Sequence, residues 1–186
     1  MESGTAHTVY LIGMMGAGKT FWGRQLAERL QVPFIDLDEW IVQQTGLSVP
    51  EIFAQHGEGY FRDLEAYWLR HPQLRQPLVL ACGGGAPCFH QNIDFMKMDG
   101  TVVWLHPPLA VLAERLWPGR HKRPLLASAA DKAELMQRVE ALQAKRAACY
   151  SAAHLCVTDE HIDLPALVAA IGQVAHQQQA NQAYDE

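Results

Sequence analysis

A chain of 186 residues, 49% hydrophobic and 19% charged, suits a single compact domain with its own core. Its net charge of −5 excludes a general basic field for nucleic acid, so any bound anion must be held in a local pocket. The apolar run at 9–12 is far shorter than the roughly 20 residues a bilayer span requires, and no signal-peptide pattern surrounds it. The expectation is a cytoplasmic protein without membrane contact. Cys82, Cys88, Cys149 and Cys156 match no paired metal-ligand spacing and read as reduced thiols packed as small hydrophobes.

In chain order, short apolar runs alternate with helical patterns, the signature of parallel βαβ units. Strands are predicted at 9–12, 33–36, 78–82, 102–105 and 155–158. They lack polar alternation, as strands covered on both faces do. The first helix follows Gly18, with Trp22, Leu26 and Leu30 on one stripe. A short helix is expected at 39–42. Ser48 and Glu51 make a capping box with Pro50 in the first turn. Leu135, Val139 and Leu142 form a stripe behind Asp131, and Leu164, Leu167, Val168, Ile171 and Val174 repeat the pattern behind Asp163. The stretch 117–130, with the basic cluster Arg120, His121, Lys122 and Arg123, reads as a mobile lid or a solvated connection. The Gln- and Ala-rich tail at 176–186 is expected to be frayed. The predicted architecture is a P-loop-type three-layer α/β/α domain over 1–175, with a five-stranded parallel sheet and a lid at 117–130.

The run from Gly13 to Thr20, GMMGAGKT, fits G-x-x-x-x-G-K-[ST] between a strand and a helix. Glycines let backbone N–H groups turn toward phosphate oxygens, and the helix N-terminus adds its unpaired donors. Lys19 then reaches the β- and γ-phosphates, and Thr20 offers a hydroxyl to Mg²⁺.

Three further features point to what receives the phosphate. Asp36 and Asp38, two apart at a strand's carboxyl end, either face the ligand cleft together or cap the next helix. Arg62 and Glu65, three apart in GEGYFRDLE, are either an exposed ion pair or an arginine held ready for a carboxylate ligand. Gly83, Gly84 and Gly85 follow a strand and either form a plain turn or let a ligand approach the backbone.

Together with RPLL at 123–126 and Arg146 four residues before Tyr150, these motifs resemble the shikimate kinase family in order and spacing over roughly 8–174. The resemblance implies ATP-dependent phosphorylation of the 3-hydroxyl of shikimate, with ATP and Mg²⁺ as cofactors. It implies that Gly13, Met15, Gly16, Ala17, Gly18, Lys19, Thr20 and Phe21 hold the nucleotide, that Arg115 lies against adenine, and that the lid arginine Arg123 reaches the phosphates. Asp38 is similar to the family aspartate at the shikimate hydroxyls and is the candidate base, and Asp36 is similar to the one that supports Mg²⁺ with Thr20. Arg62 and Arg146 resemble the pair that grips the shikimate carboxylate, over the backbone of Gly83, Gly84 and Gly85. Lys19, Asp38 and Arg123 are the implied catalytic set. The chain departs from the family pattern at 117–122, at 87–90 and after Arg146, where Ala147, Ala148 and Cys149 stand. Another small P-loop kinase acting on gluconate or a nucleoside monophosphate, or a non-catalytic nucleotide-binding module, is the alternative. With no heptad or repeated apolar stripe, a monomer is expected.

Overall fold

The computed structural model describes residues 7–123 and 125–183. Pro124 of the lid and residues 184–186 of the tail therefore lie outside the described residues.

Five parallel strands, β1 (Thr8–Ile12), β2 (Phe34–Asp36), β3 (Val79–Ala81), β4 (Gly100–Leu105) and β5 (Leu155–Val157), form one sheet in the order β2-β3-β1-β4-β5. Helices α1 (Lys19–Leu30), α2 (Leu37–Thr45), α3 (Val49–Arg70), α4 (Asn92–Asp99), α5 (Leu109–Leu116), α6 (Lys132–Tyr150) and α7 (Leu164–Gln182) supply the crossovers and flank it. Every residue of β1 and β3 is buried, which is why these segments are apolar without alternation.

Parallel pairing sets the position of the site. Asp36 and Leu11 both pair with Ala81, so one row crosses β2, β3 and β1. Two residues beyond that row come Asp38, Gly83 and Gly13. Because all five strands run the same way, these three positions emerge at the same edge of the sheet. The chain leaves β1 toward β2 but leaves β4 toward β5, a change of direction of the kind at whose carboxyl edge open α/β sheets take their ligands.

Three local outcomes differ from the sequence reading. The second helix starts at Leu37, two residues before the expected 39, so Asp38 stands in its first turn. Helix α3 breaks at Gly57 (φ 84°, ψ 171°), a backbone conformation open to glycine, and this break re-aims the turn that carries Glu58 and Arg62. The last helix runs on to Gln182, past the point where fraying was expected at 176. Gln and Ala are good helix formers, and Gln178 Nε2 donates to Lys97 O at 2.8 Å and Gly100 O at 3.2 Å, pinning that end to β4.

Helix α1 packs close on the sheet at Gly23. A Cβ there would lie 2.4 Å from Phe34 Cε2 and 3.1 Å from Leu11 Cδ1. Gly23→Ala is therefore expected to lower stability by about 1–3 kcal/mol through overpacking, measurable as a lower urea midpoint. An unchanged midpoint would show that α1 shifts without cost.

Candidate active site

The loop between β1 and α1 is built around positions that no side chain could occupy. Gly13 has φ +135°, and a Cβ on it would sit 2.3 Å from the carbonyl oxygen of Leu105 at the end of β4. Gly18 is the left-handed N-cap of α1 and has no side chain to cap it, which leaves the first-turn N–H groups to an anion. Lys19 Nζ donates to Gly13 O at 2.9 Å and Met14 O at 3.0 Å, so the ammonium is folded back over its own loop. Burial lowers its pKa, while Asp38 and Asp36 act in the opposite sense. Ala17 N donates to Met14 O at 3.2 Å inside the loop. Met15 packs against the core, and Leu116 of α5 lies beneath Gly16. Phe21 is 64% exposed, edge-on to Trp22. Arg115 Nη1 donates to Gly16 O at 3.4 Å while its Nη2 lies 3.6 Å from Glu160 Oε2. Its guanidinium thus stands at the loop, held from the far side by a carboxylate.

Asp36 has two tasks at once. Its Oδ1 accepts from Asp38 N at 3.1 Å, capping α2, while its Oδ2 accepts from Thr20 Oγ1 at 2.8 Å. The capping and cleft-facing readings are both true of this residue. Asp38 faces the same crevice because α2 begins there, not because of a strand pleat. Its Oδ1 is buried with no hydrogen-bond partner. Burial, reinforced by Asp36, pushes its pKa up to about 6, against the pull of Lys19 and Arg62. Thr20 and Asp36 present hard oxygen donors beside the loop, the chemistry that suits Mg²⁺. Among the described residues no group of three or more His, Cys, Asp or Glu could cage a metal unaided. An ion here would have to share its shell with phosphate oxygens and water, as Mg²⁺ does.

The triple glycine after β3 is the floor on which distant side chains meet. A Cβ on Gly83 would lie 2.7 Å from both Asp38 Oδ1 and Glu65 Oε1. One on Gly84 would lie 2.8 Å from Arg146 Nη1, and one on Gly85 would lie 2.6 Å from the guanidinium carbon of Arg62. Two carboxylates and two guanidiniums thus stand over three consecutive residues with no side chains. It is side chains of this chain that approach the glycine backbone here.

Arg62 is not in an exposed pair. It is 8% exposed and Glu65 is fully buried, with Arg62 Nη1 donating to Glu65 Oε2 at 2.6 Å. Arg62 Nε and Nη2 donate to Glu58 Oε1 at 3.1 and 2.8 Å. Three of the five guanidinium N–H donors are thereby used, which leaves one on each terminal nitrogen for a ligand. Phe89 covers the guanidinium at 4.9 Å. Glu65 Oε1 is buried without a partner, and burial pushes its pKa up to about 7, opposed by Arg62. Arg146 Nη1 lies 3.7 Å from Met14 Sδ of the phosphate loop, and Tyr150, one turn on, donates to Gly84 O at 2.6 Å. The guanidinium at 146 therefore bridges the loop at 13–20 and the glycine floor.

One predicted residue stands apart. Arg123 Nη1 donates to Gly119 O at 3.4 Å within its own loop. Among the described residues it has no hydrogen bond or ion pair to the phosphate loop, Asp36 or Asp38. The segment that carries it is anchored by Leu126, which is fully buried. Sequence reasoning missed Glu58, although its i, i+4 spacing from Arg62 was the available signal. Phe89, nearly thirty positions from Arg62, gave no such signal.

The sequence profile described as Shikimate kinase matches residues 15–177. The shikimate kinase of Bacteroides fragilis is 41% identical over 146 residues, covering 78% of this chain and 81% of that protein. That of Ruegeria pomeroyi is 44% identical over 155 residues, covering 82% and 76%. Among solved structures, shikimate kinase from Acinetobacter baumannii in complex with shikimate superposes with a TM-score of 0.76 at 33% identity, covering 98% of this chain and 96% of that one. The Bacteroides thetaiotaomicron enzyme gives 0.77 at 34% identity, covering 95% and 98%. With a phosphate loop, an acidic pair and two guanidiniums in one crevice, and with these relatives along nearly its whole length, the chain belongs to the shikimate kinase family.

Proposed function

We infer that the chain transfers the γ-phosphoryl group of ATP to the 3-hydroxyl of shikimate, giving 3-phosphoshikimate and ADP. The observation that carries this reading is the meeting of Asp38, Glu65, Arg62 and Arg146 over Gly83, Gly84 and Gly85, beside Lys19 in the same crevice. An acceptor there meets paired cations at one end and a buried carboxylate at the other, which matches a small hydroxylated acid.

Phosphoryl transfer needs mainly positioning and charge neutralisation. The loop N–H groups and the α1 N-terminus hold the phosphates. Lys19 exchanges its two loop carbonyls for phosphate oxygens. Arg62 and Arg146 take the acceptor carboxylate, the first with its two remaining donors, which fixes the ring orientation. Asp38 Oδ1, the buried oxygen without a partner, accepts the hydrogen of the attacking hydroxyl. Thr20 and Asp36 would hold Mg²⁺, which when bound neutralises phosphate charge. Arg115 lies against the adenine, and Arg123 joins the phosphates when the lid at 117–130 closes and excludes water. The whole 1–175 unit works as one domain, a cytoplasmic monomer without nucleic-acid or membrane partners.

The pKa of Asp38 sets the pH profile. In the free enzyme its basic form accumulates above about pH 6, so kcat/KM for the acceptor should rise about tenfold per pH unit on the acid side and then level off, with MgATP shifting the onset of the plateau from that value. Asp38→Asn should remove this limb. A flat profile in the wild type would take the base role from Asp38.

The reading is tested by measuring ADP release with shikimate, gluconate and nucleoside monophosphates. Turnover with shikimate alone is expected. Turnover with gluconate or a nucleotide would reassign the acceptor, and ATP binding without turnover on any of them would make the protein a non-catalytic nucleotide binder.

A further inference from the structure

We propose that Cys88 and Cys149 are an oxidisable thiol pair, converted by peroxide into a disulfide that joins the end of the glycine floor to the last turn of α6 and weakens the grip on the acceptor. Cys88 closes the 3-10 turn Ala86–Cys88 that follows Gly85, and Cys149 lies in α6 between Arg146 and Tyr150. Their sulfurs lie 2.7 Å apart, inside the contact distance of two unbonded sulfurs. A disulfide needs about 2.05 Å, so the bond forms with a movement of well under an ångström.

The surroundings favour these two thiols over the others. The Cys149 thiol stabilises a thiolate at Cys88, and the guanidiniums of Arg146 and Arg62 add to this, so Cys88 has its pKa lowered despite partial burial. Cys149 is shifted upward, as the resolving partner that keeps its proton. Cys82, also free, is 1% exposed and burial pushes its thiol well up. Cys156 is exposed but lies on β5 with its pKa raised by burial of the sulfur. A reactive cysteine needs both thiolate character and access. Only Cys88, of the four, has both.

The chemistry balances with hydrogen peroxide as oxidant. The Cys88 thiolate attacks one peroxide oxygen; the S–O bond forms, the O–O bond breaks and hydroxide leaves. The Cys149 sulfur then attacks the sulfenic sulfur; the S–S bond forms, the S–O bond breaks and water leaves with the proton of Cys149. The thiols lose two electrons and peroxide becomes two waters, the hydroxide taking up the proton that Cys88 released. A dithiol reductant reverses the bond.

The pair reports on the site because its supporting cations are the ones that hold the acceptor. A carboxylate bound by Arg62 and Arg146 offsets their charge and disfavours the thiolate, so bound acceptor slows oxidation. Closing the S–S bond draws the Arg146–Tyr150 turn toward the 3-10 turn. That displaces the guanidinium from its place over Gly84, and a sub-ångström misplacement there should raise the KM for the acceptor about tenfold. These two effects rest on the acceptor reading above, whereas the disulfide does not.

The test treats the full chain with hydrogen peroxide, alkylates the remaining thiols and maps the peptides by mass spectrometry. A cross-linked Cys88–Cys149 peptide is expected, with Cys82 and Cys156 still alkylated and full reversal by dithiothreitol. Shikimate should slow its appearance, and the oxidised enzyme should show the raised KM for shikimate with the KM for ATP unchanged. Cys88→Ser and Cys149→Ser should each abolish both the cross-link and the KM shift, while ellipticity at 222 nm reports that they fold. Equal oxidation of all four thiols, or cross-links only between chains, would overturn the pair. A clean cross-link with an unmoved shikimate KM would overturn its coupling to the site. If the reduced enzyme does not turn over shikimate at all, the acceptor reading fails instead, and the peptide map still decides the pair.

Discussion

Lys19→Ala is expected to lower turnover by a factor of about 10²–10³, the usual cost of removing one preorganised donor from developing charge. The loop should survive the change. Lys19 donates to Gly13 O and Met14 O, but the loop's shape is set by backbone constraints that the lysine does not supply: the positive φ at Gly13 and Gly18, and the Ala17 N–H to Met14 O bond. Gly13 O can bond water when the ammonium is gone, and Met14 O keeps its bond from Ala17 N. The buried site also loses a positive charge that holds Asp38 ionised. The pKa of Asp38 therefore rises in the variant, and the acid limb of the residual activity should move to higher pH. Single-turnover kinetics with circular dichroism checks both points. Near-normal turnover would remove the lysine from the mechanism.

Arg62→Ala should have two separable effects. The first is on binding: the KM for shikimate rises by about 10²-fold, the loss of a charge-assisted bidentate contact, while the KM for ATP stays put because, among the described residues, Arg62 has its hydrogen bonds and ion pairs with Glu58 and Glu65 and none with the phosphate loop. Arg62→Lys keeps the charge but loses the fork, so it should recover only part of the loss. The second effect is on stability. Glu65 is fully buried against Arg62, and removing one partner of a buried pair costs about 3–5 kcal/mol when the other stays charged. Glu65 can avoid this cost by taking up a proton. Its folded pKa, already up at about 7, exceeds its unfolded value, so the folded state holds the proton more tightly and stability falls as pH rises through that range. Without Arg62 the folded pKa climbs further, and the additional loss appears above pH 7. Urea unfolding should therefore show a small difference between variant and wild type at mildly acidic pH and a large one at pH 8. A pH-independent difference would mean that Glu65 is not the stranded charge.

How far the molecule is legible in its sequence depends on the range of each signal. The phosphate loop is local: four fixed positions between a strand and a helix specify it, and Gly13 is constrained by Leu105, a residue that pairing of β1 with β4 places beside it. The five strands lie within a residue or two of their predicted bounds because each is a short apolar run between helical patterns, buried throughout in β1 and β3. The second helix starts two residues before the expected 39 because Asp36 is its N-cap, a signal the apolar pattern does not carry. The acceptor floor was legible only by resemblance. Nothing local to Gly83, Gly84 and Gly85 reveals that Asp38, Arg62, Glu65 and Arg146 crowd their missing side chains, since those contacts join three separate helices. The Cys88–Cys149 contact is further out of reach, spanning 61 positions with no motif at either end. The helix beyond position 176 was lost for the opposite reason: its polar composition hides the anchoring of Gln178, which exists only once β4 is in place.

The central claim is that one crevice holds a triphosphate on the loop at 13–20 and a small hydroxylated acid between two guanidiniums. A crystal structure with shikimate and a non-hydrolysable ATP analogue measures it directly. The account predicts the shikimate carboxylate within hydrogen-bonding distance of Arg62 and Arg146, its ring hydroxyl against Asp38, and the γ-phosphate on the same side as that hydroxyl. A carboxylate bound away from Arg62, or an acceptor seated on the far side of Gly83, Gly84 and Gly85 from the nucleotide, would contradict it.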